Sequence, residues 1–81
     1  MQLQIRLFAR AQELAGGASV PVNLPDQATV ADLRQALGEQ YPELEPLLPH
    51  LHVAIGTDYA DDSVKLTDSS AVTCFPPVSG G

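Results

Sequence analysis

Apolar and polar residues alternate along several short stretches of the chain, and a period of two is typical of β-strands with one buried face. The alternation is clearest in residues 2–8 and 18–24, which lie close enough in sequence to pair as antiparallel neighbours. Pro21 has no backbone N–H to donate to a ladder, so the second strand is predicted at a sheet edge. Further strands are predicted over residues 51–55, 59–65 and 71–75, the second of these being weak and interrupted.

One stretch follows a helical period instead. Apolar residues from Val30 to Tyr41 recur every three or four positions and predict an amphipathic helix that covers the sheet. Thr29 stands where an N-cap is expected, with Asp32 three residues on in a weaker form of the capping box. Pro42 disfavours helical backbone in the residue before it and is predicted to end the helix.

Shorter segments connect these elements. Residues 9–14 are predicted as a short helix or turn that ends at the glycines 16–17, and residues 43–49 as a loop or 3₁₀ turn with leucines at the domain edge. Two strands, a helix and further strands make an α+β order. We therefore predict one domain over residues 1–75, with a mixed sheet of four to five strands packed on one main helix and its other face open to a partner.

The remaining residues, 76–81, are predicted to form an extended and flexible C-terminal tail. Pro76 and Pro77 favour a polyproline-like course, which lowers the entropy lost when the tail enters a partner. Gly80 and Gly81 have no Cβ, so a nucleotide or another backbone can approach them closely. A tail of this length reaches at most about 20 Å from the domain.

The carboxylate of Gly81 is the predicted reactive group of this tail. A carboxylate is a poor electrophile, but joining it to AMP makes an acyl-adenylate that a nucleophile can attack. A sulfur nucleophile would leave a thiocarboxylate on Gly81, whereas a lysine would leave an amide.

Composition narrows the possible partners. Four Lys and Arg residues stand against ten Asp and Glu, a net charge of -6, which argues against nucleic-acid binding and favours basic partner surfaces. The single cysteine excludes an internal disulfide and all-cysteine metal sites, and a reducing cytoplasm is the expected location. Neither a signal peptide nor a membrane-spanning run is indicated, and no membrane partner is expected.

Several residues that could carry chemistry are better explained by structure. Cys74 is predicted to be a buried, inert thiol, since it faces inward on a strand. His50 and His52 lack other ligand-type neighbours, so no metal site is predicted. A solvated turn is predicted for the three aspartates Asp58, Asp61 and Asp62.

The chain resembles the small, ubiquitin-like sulfur-carrier subunits of molybdopterin synthase over essentially its full length. Residues 74–81 read Cys-Phe-Pro-Pro-Val-Ser-Gly-Gly, which is similar to the family's Phe-Phe-Pro-Pro-Val-Ser/Thr-Gly-Gly ending. Weaker matches lie in residues 7–10 with 13–16, and in residues 66–68. The resemblance implies a ubiquitin-like β-grasp fold whose first and last strands are central and parallel.

The resemblance also implies a set of partners. An E1-like enzyme using ATP and Mg would adenylate Gly81, and a sulfur donor system would convert it to a thiocarboxylate. The large subunit of molybdopterin synthase would receive the tail, supply the catalytic side chains and form a heterotetramer with this chain, which itself binds no cofactor. Sulfur would pass there to a cyclic pyranopterin phosphate. Partner-binding residues are predicted to be Phe8, Phe75, Pro76, Pro77, Val78, Ser79 and Gly80.

Three other functions remain open at the level of sequence. The same Gly81 chemistry would serve a sulfur carrier for thiamine synthesis or transfer-RNA thiolation. A ubiquitin-like modifier would instead be joined to lysines. The third alternative is an interaction domain with a passive tail.

Overall fold

The computed structural model describes residues 1–77, and these fold as five strands and two α-helices with two 3₁₀ turns between α2 and β3. The elements in chain order are β1 (Gln2–Leu7), α1 (Ala9–Ala15), β2 (Ser19–Asn23), α2 (Val30–Gln40), the 3₁₀ turns Pro42–Leu44 and Leu48–His50, β3 (His52–Ile55), β4 (Asp58–Tyr59) and β5 (Val72–Phe75).

The strands form one mixed sheet in the order β2-β1-β5-β3-β4. The first and last strands, β1 and β5, are parallel neighbours at the centre, and every other pairing is antiparallel. The predicted antiparallel pair β1–β2 and the edge position of Pro21 are both confirmed. This is the α+β, β-grasp arrangement predicted above.

The strand predicted over residues 59–65 was too long. Only Tyr59 of that range belongs to β4, and Lys65 makes an isolated bridge to Thr29. The interruption has a local cause, because the Asp61 carboxylate accepts hydrogen bonds from both the backbone N–H and the hydroxyl of Ser63, at 2.9 and 2.6 Å. These bonds hold a turn where a strand would need extended backbone.

The hydrophobic core lies between α2 and one face of the sheet. Alternate residues of β1 are buried, as the period of two predicts, and α2 faces them with its own buried side chains. No buried polar or charged residue is found within residues 1–77. The largest buried side chains are Ile5, Leu7, Leu33, Leu37, Leu44, Val22, Val30, Val72 and Cys74.

Both ends of α2 are fixed by the residues that the sequence indicated. Thr29 and Asp32 form a complete capping box, in which each side chain accepts a hydrogen bond from the other's backbone N–H. The helix ends before Tyr41, whose hydroxyl donates to the carbonyl oxygen of Pro21 at 2.7 Å. Gln40 bonds both backbone groups of Asn23, so the end of α2 also covers the free edge of β2.

The segment after α2 packs more deeply than predicted. Leu44 is fully buried, because the first 3₁₀ turn directs it into the core rather than along the domain edge. Gly38 allows this close approach, since a Cβ there would lie 2.8 Å from both a Glu45 carboxylate oxygen and a Leu48 methyl carbon. Arg34 links α2 to this segment by donating a 2.8 Å hydrogen bond to the carbonyl oxygen of Leu48.

Candidate functional site

The sheet face opposite α2 is open, and its side chains differ from one half to the other. On the β2–β1 half they are polar: Gln2 donates to Asn23, and the Ser19 hydroxyl donates to Gln4. On the β5–β3–β4 half, aromatic side chains stand beside the smaller Ala54 and Thr73. The change occurs at Thr73, the register partner of Arg6.

Three aromatic rings meet on the second half and form what we call the aromatic cluster: His52, Tyr59 and Phe75. The ring centroids of His52 and Phe75 are 5.6 Å apart, those of Tyr59 and Phe75 5.8 Å, and those of His52 and Tyr59 6.1 Å. The register explains the meeting, because His52 pairs directly with Phe75 and Ala54 pairs with Tyr59. Tyr59 is 78% exposed, so one side of the cluster is presented to solvent.

Phe8 adds a fourth aromatic ring at the same end of the sheet. It follows Leu7, whose register partner Cys74 precedes Phe75, so Phe8 and Phe75 lie at the same level of the two central strands. Phe8 is the N-cap of α1, keeps extended backbone and is 46% exposed. The Arg6 guanidinium carbon lies 5.7 Å from its ring centroid, which is cation–π distance. We call Phe8 together with the aromatic cluster the docking face, after the partner binding that the sequence predicts for Phe8 and Phe75.

The tail begins directly beside the docking face. β5 ends at Phe75, and the chain continues through the half-buried Pro76 and the exposed Pro77. The structure therefore brings together Phe8, Phe75 and the two prolines among the predicted partner-binding residues. The other predicted site residues lie outside the described residues: Val78, Ser79, Gly80 and Gly81.

His52 and Tyr59 are members of the docking face that the sequence prediction missed. His52 is out of phase with the inward residues Leu51 and Val53, and this phase alone could have assigned it to the face that bears Phe75. Tyr59 gave no such signal, because its place depends on pairing across the turn at Gly56.

Cys74 lies beneath the docking face and is fully buried, as predicted. Burial raises the pKa of its thiol from 9.0 to about 12, an effect that the positive charge of Arg34 only partly offsets. Because the thiolate is the reactive form, this side chain is unsuited to relay sulfur at neutral pH.

Ligand-type residues elsewhere on the described chain have structural partners or stand apart. His50 belongs to the second 3₁₀ turn and His52 to the aromatic cluster. Asp62 forms an ion pair with Arg34, with 2.8 Å between the Arg34 Nε and an Asp62 carboxylate oxygen. Across residues 1–77 no three His, Cys, Asp or Glu side chains converge as a metal site would require. Over the same residues, neither helix has the length and apolar character needed to cross a membrane.

Comparison with known proteins gives consistent results along the whole chain. The family model described as "ThiS family" matches residues 5–81, a range that includes the docking face and the Gly-Gly ending. The molybdopterin synthase sulfur carrier subunit of Dictyostelium discoideum is 32% identical, over 99% of this chain and 96% of its own length.

Archaeal modifier proteins are similar to the same extent. Small archaeal modifier protein 3 of Haloferax volcanii is 34% identical, and the match covers 100% of both chains. The crystal structure of SAMP1 from Haloferax volcanii superposes with a TM-score of 0.86 at 30% identity, again over 100% of both chains.

Proposed function

The chain belongs to the ThiS family, and on this basis we propose that it is a sulfur carrier that delivers sulfur from Gly81 within molybdopterin synthase. The observation that carries the proposal is the end-to-end similarity to a molybdopterin synthase sulfur carrier subunit, at 32% identity. The family match runs through residue 81, so it includes the group to which the sulfur would be attached.

The proposed chemistry takes place on the C-terminal carboxylate. A carboxylate oxygen of Gly81 attacks the α-phosphorus of ATP in an E1-like enzyme, which uses Mg, and pyrophosphate leaves. Hydrosulfide or an equivalent sulfur nucleophile then attacks the acyl carbon and expels AMP, which leaves a thiocarboxylate. Its sulfur is finally transferred to a cyclic pyranopterin phosphate in the large synthase subunit, where this chain contributes no catalytic side chain.

The docking face supports a role for a protein partner. Phe8 and Tyr59 are the two large apolar side chains that residues 1–77 leave exposed. Phe8 lies level with Phe75, where the tail begins, and the ring centroid of Tyr59 is 5.8 Å from that of Phe75. Exposed aromatic residues commonly anchor interfaces. We assign this face to the large synthase subunit, with a heterotetramer as the expected assembly, because binding here would direct residues 76–81 into the partner.

Intact-mass analysis tests the proposed chemistry. The chain purified from its native host, or incubated with the host's adenylating enzyme, ATP and a sulfur donor, should gain the mass that separates sulfur from oxygen. Removal of Gly81 should abolish this gain and leave the fold intact, since the tail follows the last strand. An undiminished yield of thiocarboxylate in the shortened chain would refute the role of Gly81.

A second candidate function is attachment to other proteins. It is favoured by the 34% identity to small archaeal modifier protein 3 and by the superposition on SAMP1. The adenylate would then be attacked by a lysine amine instead of sulfur, forming an amide. Antibody detection of this chain in larger, ATP-dependent conjugates would support the modifier, whereas thiocarboxylate without conjugates would support the sulfur carrier alone.

A further inference from the structure

The chain contains very few amine nucleophiles that could attack the activated acyl carbon of its own Gly81. Of its four basic side chains, three are arginines and one is a lysine, Lys65. An arginine guanidinium stays protonated and does not act as an amine nucleophile at ordinary pH. Lys65 is therefore the one lysine amine of the printed sequence, and the structure adds the amino group of Met1 as a second primary amine to consider.

Both amines lie at one end of the molecule. Met1 and Lys65 line the same open hollow, of about 340 Å³, together with Leu66 and other residues of its rim. The Met1 amine donates a 2.6 Å hydrogen bond to the carbonyl oxygen of Leu24 and lies 3.8 Å from an Asp26 carboxylate oxygen. We call this region the amine end.

The tail leaves from the opposite end. The amine end adjoins the first residue of β1, whereas Phe75 lies level with Phe8, just beyond the last residue of β1. At about 3.3 Å per strand residue, Met1 and Phe8 are separated by roughly 23 Å.

This separation is comparable with the full reach of the tail. Residues 76–81 span at most about 20 Å even when fully extended. To approach either amine, the tail would have to reverse its direction just after Phe75 and then run fully extended back along the sheet. Arg6, by contrast, pairs with Thr73, two residues before Phe75, so a group at position 6 lies well within the tail's reach.

We propose that the placement of Lys65 and the Met1 amine protects the activated C-terminus of this chain from acylating the chain itself. The inference rests on the proposed activation of Gly81. In the reaction avoided, an amine nitrogen attacks the activated acyl carbon, the leaving group departs from that carbon, the nitrogen loses a proton, and an amide closes the chain on itself. A chain closed in this way could neither accept nor deliver sulfur.

A lysine exchange tests the proposal without altering composition or charge. The full chain is prepared with Gly81 as a small-thiol thioester, and the same is done for the double variant Arg6→Lys/Lys65→Arg. Each is incubated at low protein concentration and mildly basic pH. Loss of the thiol without gain of water, measured by intact mass, reports internal amide formation, and peptide mapping identifies the amine.

The exchanged variant should close on itself at least about tenfold faster than the natural chain, because its amine lies within reach of the tail. In the natural chain, the thioester at Gly81 should mainly be hydrolysed. Equal closure rates in the two chains, or rapid closure at Lys65 or Met1 of the natural chain, would overturn the proposal.

A folding check and a second lysine exchange serve as controls. Circular dichroism checks that the exchanged variant is folded, and Arg10→Lys/Lys65→Arg, at an exposed position near the start of α1, provides a second exchange with the same expectation. Because the thioester is installed chemically, the result does not depend on an activating enzyme. Failure of sulfur loading would refute the proposed function and leave this geometry unaffected.

Discussion

The two faces of the sheet are formed by alternate residues of the same strands, yet they differ in almost every property. Facing α2, the β1 side chains Leu3, Ile5 and Leu7 are at most 3% exposed, and Val72 and Cys74 of β5 are buried beside them. Facing solvent, β1 presents polar side chains, while Phe75 of β5 packs with two other aromatic rings.

The open face is itself divided, and the division is informative. Its polar half is held by side-chain hydrogen bonds between β1 and β2, whereas the aromatic half adjoins the start of the tail. We propose that the inner face, which packs against α2, provides stability and that the aromatic half provides recognition, so variants should separate these two properties.

The largest expected effect concerns the hydrophobic core, which the inner face of the sheet forms together with α2 and the first 3₁₀ turn. Leu44→Ala removes a fully buried side chain contributed by the first 3₁₀ turn and should lower the free energy of unfolding by about 2–5 kcal/mol. Leu47→Ala, at a half-buried leucine of the same segment, serves as the matched control and should cost less. Urea denaturation measures both, and equal losses would contradict the placement of Leu44 in the core.

Leu44 also illustrates what sequence could and could not predict. Alternation, helical spacing, the Thr29 cap and the edge proline are local signals, and each led to the correct element. The depth of Leu44 depends on how closely a proline-rich segment approaches Gly38 of the helix, a long-range property that no local pattern encodes.

In the candidate site, too, some residues could be predicted from local sequence patterns and others could not. Phe8 and Phe75 were assigned to the open face by strand phase alone, and the structure places both there. Tyr59 was missed because its neighbours depend on the register between three strands. For the residues that follow Pro77, the role in the site stays a prediction.

The next effect concerns the aromatic half of the open face. Phe75→Ala and Tyr59→Ala should each weaken binding to the large synthase subunit by more than about 1 kcal/mol, because both remove an aromatic anchor. Tyr59→Ala should change the free energy of unfolding by less than about 0.5 kcal/mol, since the side chain is 78% exposed.

Titration calorimetry against the host's large subunit gives the affinities, and Gln4→Ala, on the polar half of the same face, is the control. Gln4→Ala should bind like the natural chain. A loss at Gln4 as large as that at Tyr59 would mean that recognition extends over the whole face, and unchanged affinity in both aromatic variants would remove the docking role altogether.

The smallest expected effect concerns Cys74, which lies on the inner face between two outward residues of β5. Burial raises the pKa of its thiol from 9.0 to about 12, so the folded chain keeps this proton to a higher pH than the unfolded chain does. Below about pH 9 both states bind the proton and the stability contribution is fully present. As the pH rises from about 9 towards 12 the unfolded state loses the proton first, so the folded state becomes less stable.

Between pH 8 and pH 10 the natural chain should therefore lose about 1 kcal/mol more stability than Cys74→Ala, which has no thiol to titrate. Other groups also titrate in this range, but they are common to both chains, and the difference between the two denaturation series isolates Cys74. Identical pH dependence would mean that the thiol ionises as easily in the folded chain as in the unfolded one. The inner face would then admit a charge close beneath Phe75, and the distinction between a stabilising face and a recognition face would fail at the strand where the two are closest.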